Sequence, residues 1–356
     1  MGTAINPDTG KDAEYAELIR SSDGEYWLAS NDEEVGRLAQ GLGPTSDMPT
    51  GTNTFWFIPF DDVPADADIA KLRVVVADRP EKPQPRRVRW VARGDLINYP
   101  GVTSTRTADL ITCKCMFNSV LSTRHARFCN IDLKDFYLGT PLLRPEYMKI
   151  PVRLLSQRII DLYNLEPLIH KGHVYVRIEK GMYGLPQAGR IAYEHLKKLL
   201  EPYGYKPTAN TPGLWYEHSD LMFTLVVDDF GIRYTKKSDV ENLMQTLSDI
   251  KYKFSVDWDG TQYVGLNLEW DYDNRTVTLS MPGYVERPLK EFAHPFEHAP
   301  RQDSPHDWRK PHYGARVQYS PGPDTSPKLD KKMTKHVHGK KTILSDITRE
   351  SDRSVC

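Results

Sequence analysis

Apolar positions change period several times along the chain, and each change predicts an element. FWFIPF (55–60) and LRVVVA (72–77) are short β-prone runs that read as strands. RRVRWVARGD, entered through the Pro-rich RPEKPQP (79–85), reads as another. From Ala108 to Leu121, apolar positions 110, 113, 117, 120 and 121 keep helical spacing, with Thr107 placed to cap the start. ARFCNID (126–132) reads as a short strand that ends in an acid. A second helix is predicted over about 187–201, with Ala188, Ile191, Ala192, Leu196, Leu199 and Leu200 on one face and Pro202 as its stop. TLVVDDFGIRY (224–234) sets two β-prone runs around twin carboxylates and predicts a hairpin with Asp228 and Asp229 as its loop. In the third predicted helix, Ser238 and Glu241 have capping-box spacing, and Val240, Leu243, Met244, Leu247 and Ile250 form the stripe. YVGLNLEW and TVTLSM predict a last hairpin through DYDNR.

From residue 108 to 250 the order is helix, strand, helix, hairpin, helix, which favours an α+β layer with helices on one side of a sheet. Residues 1–54 read as a polar N-terminal extension with short apolar patches and the loop GLGPTSDMPTGTNT. Residues 294–356 are rich in His, Pro, Lys and Asp and poor in apolar residues, and are expected to be loosely ordered.

Composition adds bounds. A chain of 356 residues, 39% hydrophobic and 27% charged, can bury a large core. A net charge of −1 gives no global signal for nucleic acid, but Lys71 to Arg93 carries eight Lys/Arg against Asp78 and Glu81. Such a run is usually a solvated face and by itself is weak evidence for a polyanion partner. Four cysteines (113, 115, 129, 356) without a C-x-x-C pair suggest a reducing compartment, and Cys113 and Cys115 read as core thiols. No apolar run approaches a membrane span and the first residues carry no signal-peptide core, so a soluble intracellular chain is expected, neither secreted nor membrane-bound. His294, His298, His306 and His312 fit no standard zinc spacing.

The twin acids have two readings. Carboxylates are common in solvated turns. Adjacent like charges near a dry sheet also raise each other's pKa, a cost that bound cations offset. If the sheet sets the strand ending at Asp132 beside the hairpin, three carboxylates converge, a donor set suited to Mg²⁺ and to in-line phosphoryl transfer.

NIDLKDFYLGTPL (130–142), GMYGLPQAG (181–189) and LVVDDFGIRY (225–234) resemble three successive motifs of the reverse transcriptase palm, above all that of copia-type retrotransposon polymerases. RRVRWVARGD resembles the basic fingers strand of that family, and YVGLNLEW the strand pair that grips the primer. The resemblance implies a right-hand polymerase fold over 55–293, with fingers, a palm of antiparallel sheet backed by helices, and a partial thumb. It implies an RNA-directed DNA polymerase that joins deoxynucleoside triphosphates to a primer 3′-OH on an RNA or DNA template, using two Mg²⁺ ions. Asp132, Asp228 and Asp229 would be the catalytic metal ligands, and Arg87 and Arg89 would hold the triphosphate. Tyr137 would lie under the sugar and exclude a 2′-hydroxyl by clash, and Gln187 would contact the nucleotide. Two positions depart from the family: Val226 replaces a usual aromatic, and Phe136 fills a slot that is commonly Ala. About sixty residues follow the thumb-like YVERPLKEF, too few for an RNase H domain, so a fragment of a larger polyprotein is expected, with the other Pol-derived domains absent from this chain. The alternative is a catalytically inactive nucleic-acid-binding remnant.

Overall fold

The structure is a computed structural model that describes residues 3–284 except 49, 80–83, 106, 212 and 218–220. The tail expected over 294–356 lies outside the described residues. Met1–Leu279 form one compact unit, and a second begins at Ser280.

The short pair β1 (Ala4–Ile5) and β2 (Asp12–Ala13) precedes helices α1 (Tyr15–Leu18) and α2 (Gly24–Leu38). Strands β3 (Phe55–Ile58), β4 (Ile69–Asp78) and β5 (Arg86–Ala92) lead to α3 (Leu110–Ser122). Next come β6 (Arg127–Lys134), β7 (Pro141–Pro151), α4 (Gln157–Leu162), β8 (His173–Lys180) and α5 (Ala188–Leu200). The rest comprises β9 (Lys206–Pro207), β10 (Leu214–Tyr216), β11 (Met222–Val226), β12 (Asp229–Tyr234), α6 (Lys237–Asp249), β13 (Lys253–Asp257), β14 (Gln262–Tyr263), β15 (Leu266–Asp271) and β16 (Thr276–Ser280).

A five-stranded sheet runs in the order β3-β8-β7-β4-β5, with β4 parallel to β7 and the other pairs antiparallel. Its core holds Phe55, Trp90, Met148 and Val176, and α2 adds Trp27, Val35 and Leu38. The first 54 residues are therefore no extension: α1 and α2 pack on this sheet. Trp90, fully buried in β5, donates its indole N–H to Asn31 Oδ1 at 2.8 Å and its backbone N–H to Glu34 Oε1 at 3.1 Å. Polar groups on α2 thus face inward, and each satisfies a buried donor.

A six-stranded antiparallel sheet, β13-β6-β12-β11-β10-β9, carries the acids. On one face, Cys129, Ile131, Leu133, Phe223, Phe230 and Ile232 pack with Ala192 and Leu196 of α5 and with Val240 and Leu243 of α6. On the other, Phe128 packs with Cys113, Met116 and Phe117 of α3 and with Tyr263 and Leu268 of the small β14-β15-β16 sheet. Helices therefore cover both faces and not one: α5 and α6 lie on one, and α3 lies on the other, where Phe128, Met222 and Val226 are apolar.

Local signals were also displaced. Asp109, not Thr107, caps α3, accepting from the Thr112 N–H at 2.7 Å. α6 begins at Lys237, so Ser238 lies inside it, and the helix start has no side-chain cap. Cys113 and Cys129 are buried, whereas Cys115 is exposed on the outer side of α3.

Candidate active site

Asp132 lies in β6 directly opposite Asp229 of β12 on one side and Ser255 of β13 on the other. Cross-strand partners share a face, with Cα atoms roughly 4.5–5.5 Å apart. The last ladder pair of the hairpin is Val226 with Asp229, so its two-residue turn is Val227-Asp228 and Asp229 is the first residue of β12. The Asp-Asp loop expected from the sequence is displaced by one position. Val227 takes φ +61°, whereas Asp228 does not enter the positive-φ region. A positive φ at the first turn residue alone is the type II′ pattern, where Gly is usual. A β-branched side chain there is strained, and strain of this kind concentrates at functional sites. The Asp228 carbonyl accepts from the Leu133 N–H at 3.0 Å, which docks the turn against β6.

Two of the three carboxyls are raised above their ordinary value. Asp229 is pushed up to about 6, chiefly by burial and then by the charges of Asp228 and Asp132, with an Asp132 hydrogen bond favouring its protonated form. Asp228 is raised mainly by burial, with Asp132 adding to the rise and Arg89 opposing it. Burial, followed by the Asp228 charge, also raises the Tyr137 phenol. Arg89 and Tyr137 are therefore each within electrostatic reach of Asp228.

Tyr183 joins them physically. The Arg89 guanidinium stands 5.0 Å from the centre of its ring, and Tyr137 meets the same ring edge-on at 5.4 Å. The Tyr183 carbonyl accepts from the Ala92 N–H at 2.8 Å, which pins the loop before α5 to β5. Gly184 makes this approach possible: it takes φ +91°, and a Cβ there would sit 2.0 Å from the Ala92 carbonyl oxygen. Phe136 is buried against α5 and α6, whereas Tyr137 is half-buried and touches both large cores.

Two other expected site residues lie differently. Gln187 is buried and donates from Nε2 to Glu146 at 2.9 Å, while its buried Oε1 has no partner. Arg87 is half-buried; burial, then Arg89 and Arg37, lower its pKa. Sequence patterns gave no sign of Arg37. It pairs with Glu34 at 2.7 Å and also with Asp135, three residues past Asp132, joining α2 to the exit of β6. Tyr183 was legible only as part of GMYGLPQAG and carried no role of its own.

Among the described residues, no group of three or more His, Cys, Asp or Glu side chains is arranged as a ready-made metal site. Asp132 is exposed and its two neighbours are half-buried, so the acids form an open set. Carboxylates that burial and then mutual repulsion bring to hold one proton to about pH 6 are nonetheless the donor chemistry that a hard cation relieves. The three acids line none of the cavities of about 600, 710 and 530 Å³, whereas Arg37 and Arg87 line the last of these.

No protein-family model matches the chain. It is 26% identical over 126 residues, 34% of its length, to the retrovirus-related Pol polyprotein from transposon TNT 1-94 of Nicotiana tabacum, of which the match covers 9%. It is 23% identical over 165 residues, 45% of its length, to the putative transposon Ty5-1 protein of Saccharomyces cerevisiae, of which the match covers 49%. The chain thus spans at most about half of the curated relatives it matches. Both carry transposon names, and these weak, partial likenesses support a retroelement origin. No described helix is long and apolar enough to cross a membrane.

Proposed function

We propose that this chain, of retroelement origin, is an RNA-directed DNA polymerase domain that extends a primer 3′-OH with deoxynucleoside triphosphates. The observation that carries the reading is the pairing of Asp132 with Asp229 across adjacent strands, with Asp228 in the turn bonded to Leu133. Asp132, Asp228 and Asp229 would hold two Mg²⁺ ions, which when bound acidify the primer hydroxyl and neutralise the leaving pyrophosphate. Arg89, set beside Asp228 by its stack on Tyr183, supplies a guanidinium fork for triphosphate oxygens. Arg87, two residues along the same strand face, extends that positive surface. Tyr137, between Tyr183 and Asp228, offers a ring as floor for the sugar.

Primer extension on an RNA template, with Mg²⁺ and with EDTA, tests this. Extension that needs Mg²⁺ and is lost in Asp132→Asn and Asp228→Asn is expected. One observation favours a second reading, an inactive nucleic-acid-binding remnant: the acids are not grouped as a ready-made metal site. Folded wild-type protein that retains template-primer but never extends it would establish that reading and end the first.

A further inference from the structure

Arg127 opens β6 at the end opposite Asp132, about 17 Å along the strand. Its guanidinium stands 4.0 Å from the centre of the Tyr272 ring, and Tyr272 is stacked on Trp270 with centroids 5.5 Å apart and planes 5° from parallel. Trp270, Tyr272 and Arg127 make a ladder of flat groups that ends on an exposed cation. Across from it, Lys237 Nζ lies 4.5 Å over the Trp258 ring, and Trp258 meets Tyr234 edge-on at 6.2 Å. These residues line one cavity of about 600 Å³, with Asp259 and Glu269 also in its wall.

The chemistry narrows the ligand class. Cation seats over Tyr272 and Trp258 are already filled by the protein's own Arg127 and Lys237, so a quaternary ammonium would meet like charge. Trp270 is covered by Phe128 and Tyr272, so what remains is the outer side of the Arg127 guanidinium, with two exposed cations for an anion, of which Lys237 also meets Glu241 at 3.9 Å. A base with its phosphate satisfies both, because bases stack on aromatic rings and on arginine planes whatever their sequence. Asp259 and Glu269 accept hydrogen bonds only, which favours bases carrying an exocyclic amine over thymine or uracil.

We propose that this cavity is a second nucleic-acid site, taking one base and phosphate of a single strand, with a preference for amine-bearing bases. The inference stands on the cavity itself and does not need the acids to be catalytic. The test is calorimetric titration of the whole chain with dAMP and with dTMP in EDTA, which silences any metal-dependent binding at the acids. Saturable dAMP binding, weakened tenfold or more in Arg127→Glu and in Lys237→Glu and several-fold weaker for dTMP, is expected. Both substituted side chains are exposed, and circular dichroism melts matching wild type verify folding. No saturable dAMP binding by wild type, or binding that survives both substitutions, overturns the site. Equal binding of dTMP overturns the role given to Asp259 and Glu269.

Discussion

Asp132 and Asp229 face each other across two hydrogen-bonded antiparallel strands, although 97 positions separate them in the chain. Like charges opposite one another destabilise a sheet, and here they add to burial, the larger cause, in holding a proton on Asp229 to about pH 6.

That proton makes stability depend on pH. The folded-state pKa of Asp229 lies above its ordinary value of 3.8, so the folded chain binds this proton more tightly than the unfolded chain does. The stabilisation is complete below about pH 4 and is lost as pH rises through about 6. Because Asp229 is only half-buried, solvent screening leaves an effect of about 1 kcal/mol. Urea midpoints measured without metal are expected to fall between pH 4 and 7 in wild type and to flatten in Asp229→Asn. Mg²⁺ added at pH 8 is expected to raise the wild-type midpoint and to leave Asp132→Asn/Asp229→Asn nearly unmoved.

Val227 offers a test of stored strain. Gly takes its φ of +61° without steric cost, and Val227 is 36% exposed, so its removal forfeits little burial. Relief of strain, on the order of 1–3 kcal/mol, exceeds the entropy that Gly loses on folding, about 0.5–1 kcal/mol. Val227→Gly is expected to stabilise the chain by about 1 kcal/mol in urea unfolding. A destabilised variant would show that neighbouring contacts, and not strain, set this turn.

Tyr137 and Phe136 are adjacent but act on different links of the chain from structure to function. Phe136 is 3% exposed in the core, and Phe136→Ala is expected to cost about 3–5 kcal/mol of stability. Tyr137→Ala removes the proposed sugar floor and is expected to raise ribonucleotide incorporation relative to deoxynucleotide by tenfold or more, about 1.4 kcal/mol of discrimination. Competing incorporation of the two nucleotide classes by each variant reads the difference. A ratio that changes in Phe136→Ala alone assigns the gate to the wrong ring.

Much of this region is legible in the sequence alone, and the reason is local. Leu110–Ser122, Ala188–Leu200 and Lys237–Asp249 carry uninterrupted apolar stripes, and β11–β12 is a pair of dense β-prone runs. α2 was not legible because its inward face includes Asn31, Asp32 and Glu34, whose burial depends on partners elsewhere: Trp90 for Asn31 and Glu34, and Ser156 for Asp32. No period within the helix announces such pairings. The turn was misplaced for a related reason, since Val is a poor residue at φ +61° and local preference pointed to the next two positions. β7 and β8 also escaped, because Pro, Arg and Glu interrupt the apolar pattern of β7.

Arg37 shows how that hidden helix reaches the site. It satisfies Glu34, which is 3% exposed, and it also holds Asp135. Arg37→Ala leaves a buried carboxylate short of its cation and is expected to destabilise the chain by about 3 kcal/mol or more. Urea unfolding of Arg37→Ala beside Arg37→Ala/Glu34→Gln checks the cause: removing the stranded charge is expected to restore part of the loss.

Arg89 ties charge, packing and the proposed chemistry together. Its guanidinium opposes the rise in the Asp228 pKa and stacks on Tyr183, which Gly184 holds against β5. Arg89→Ala removes the nearby positive charge, so Asp228 is expected to hold its proton to higher pH, and the acid limb of the pH–rate profile to move upward. The same substitution takes a fork away from the triphosphate and is expected to raise the nucleotide KM by tenfold or more, with a smaller change in kcat. Arg89→Lys separates the two roles: it keeps the charge and restores the acid limb, but lacks the planar fork and leaves the KM high. Should Arg89→Ala change neither the profile nor the KM, β5 is a solvated strand that merely passes the acids, and the triphosphate is held elsewhere.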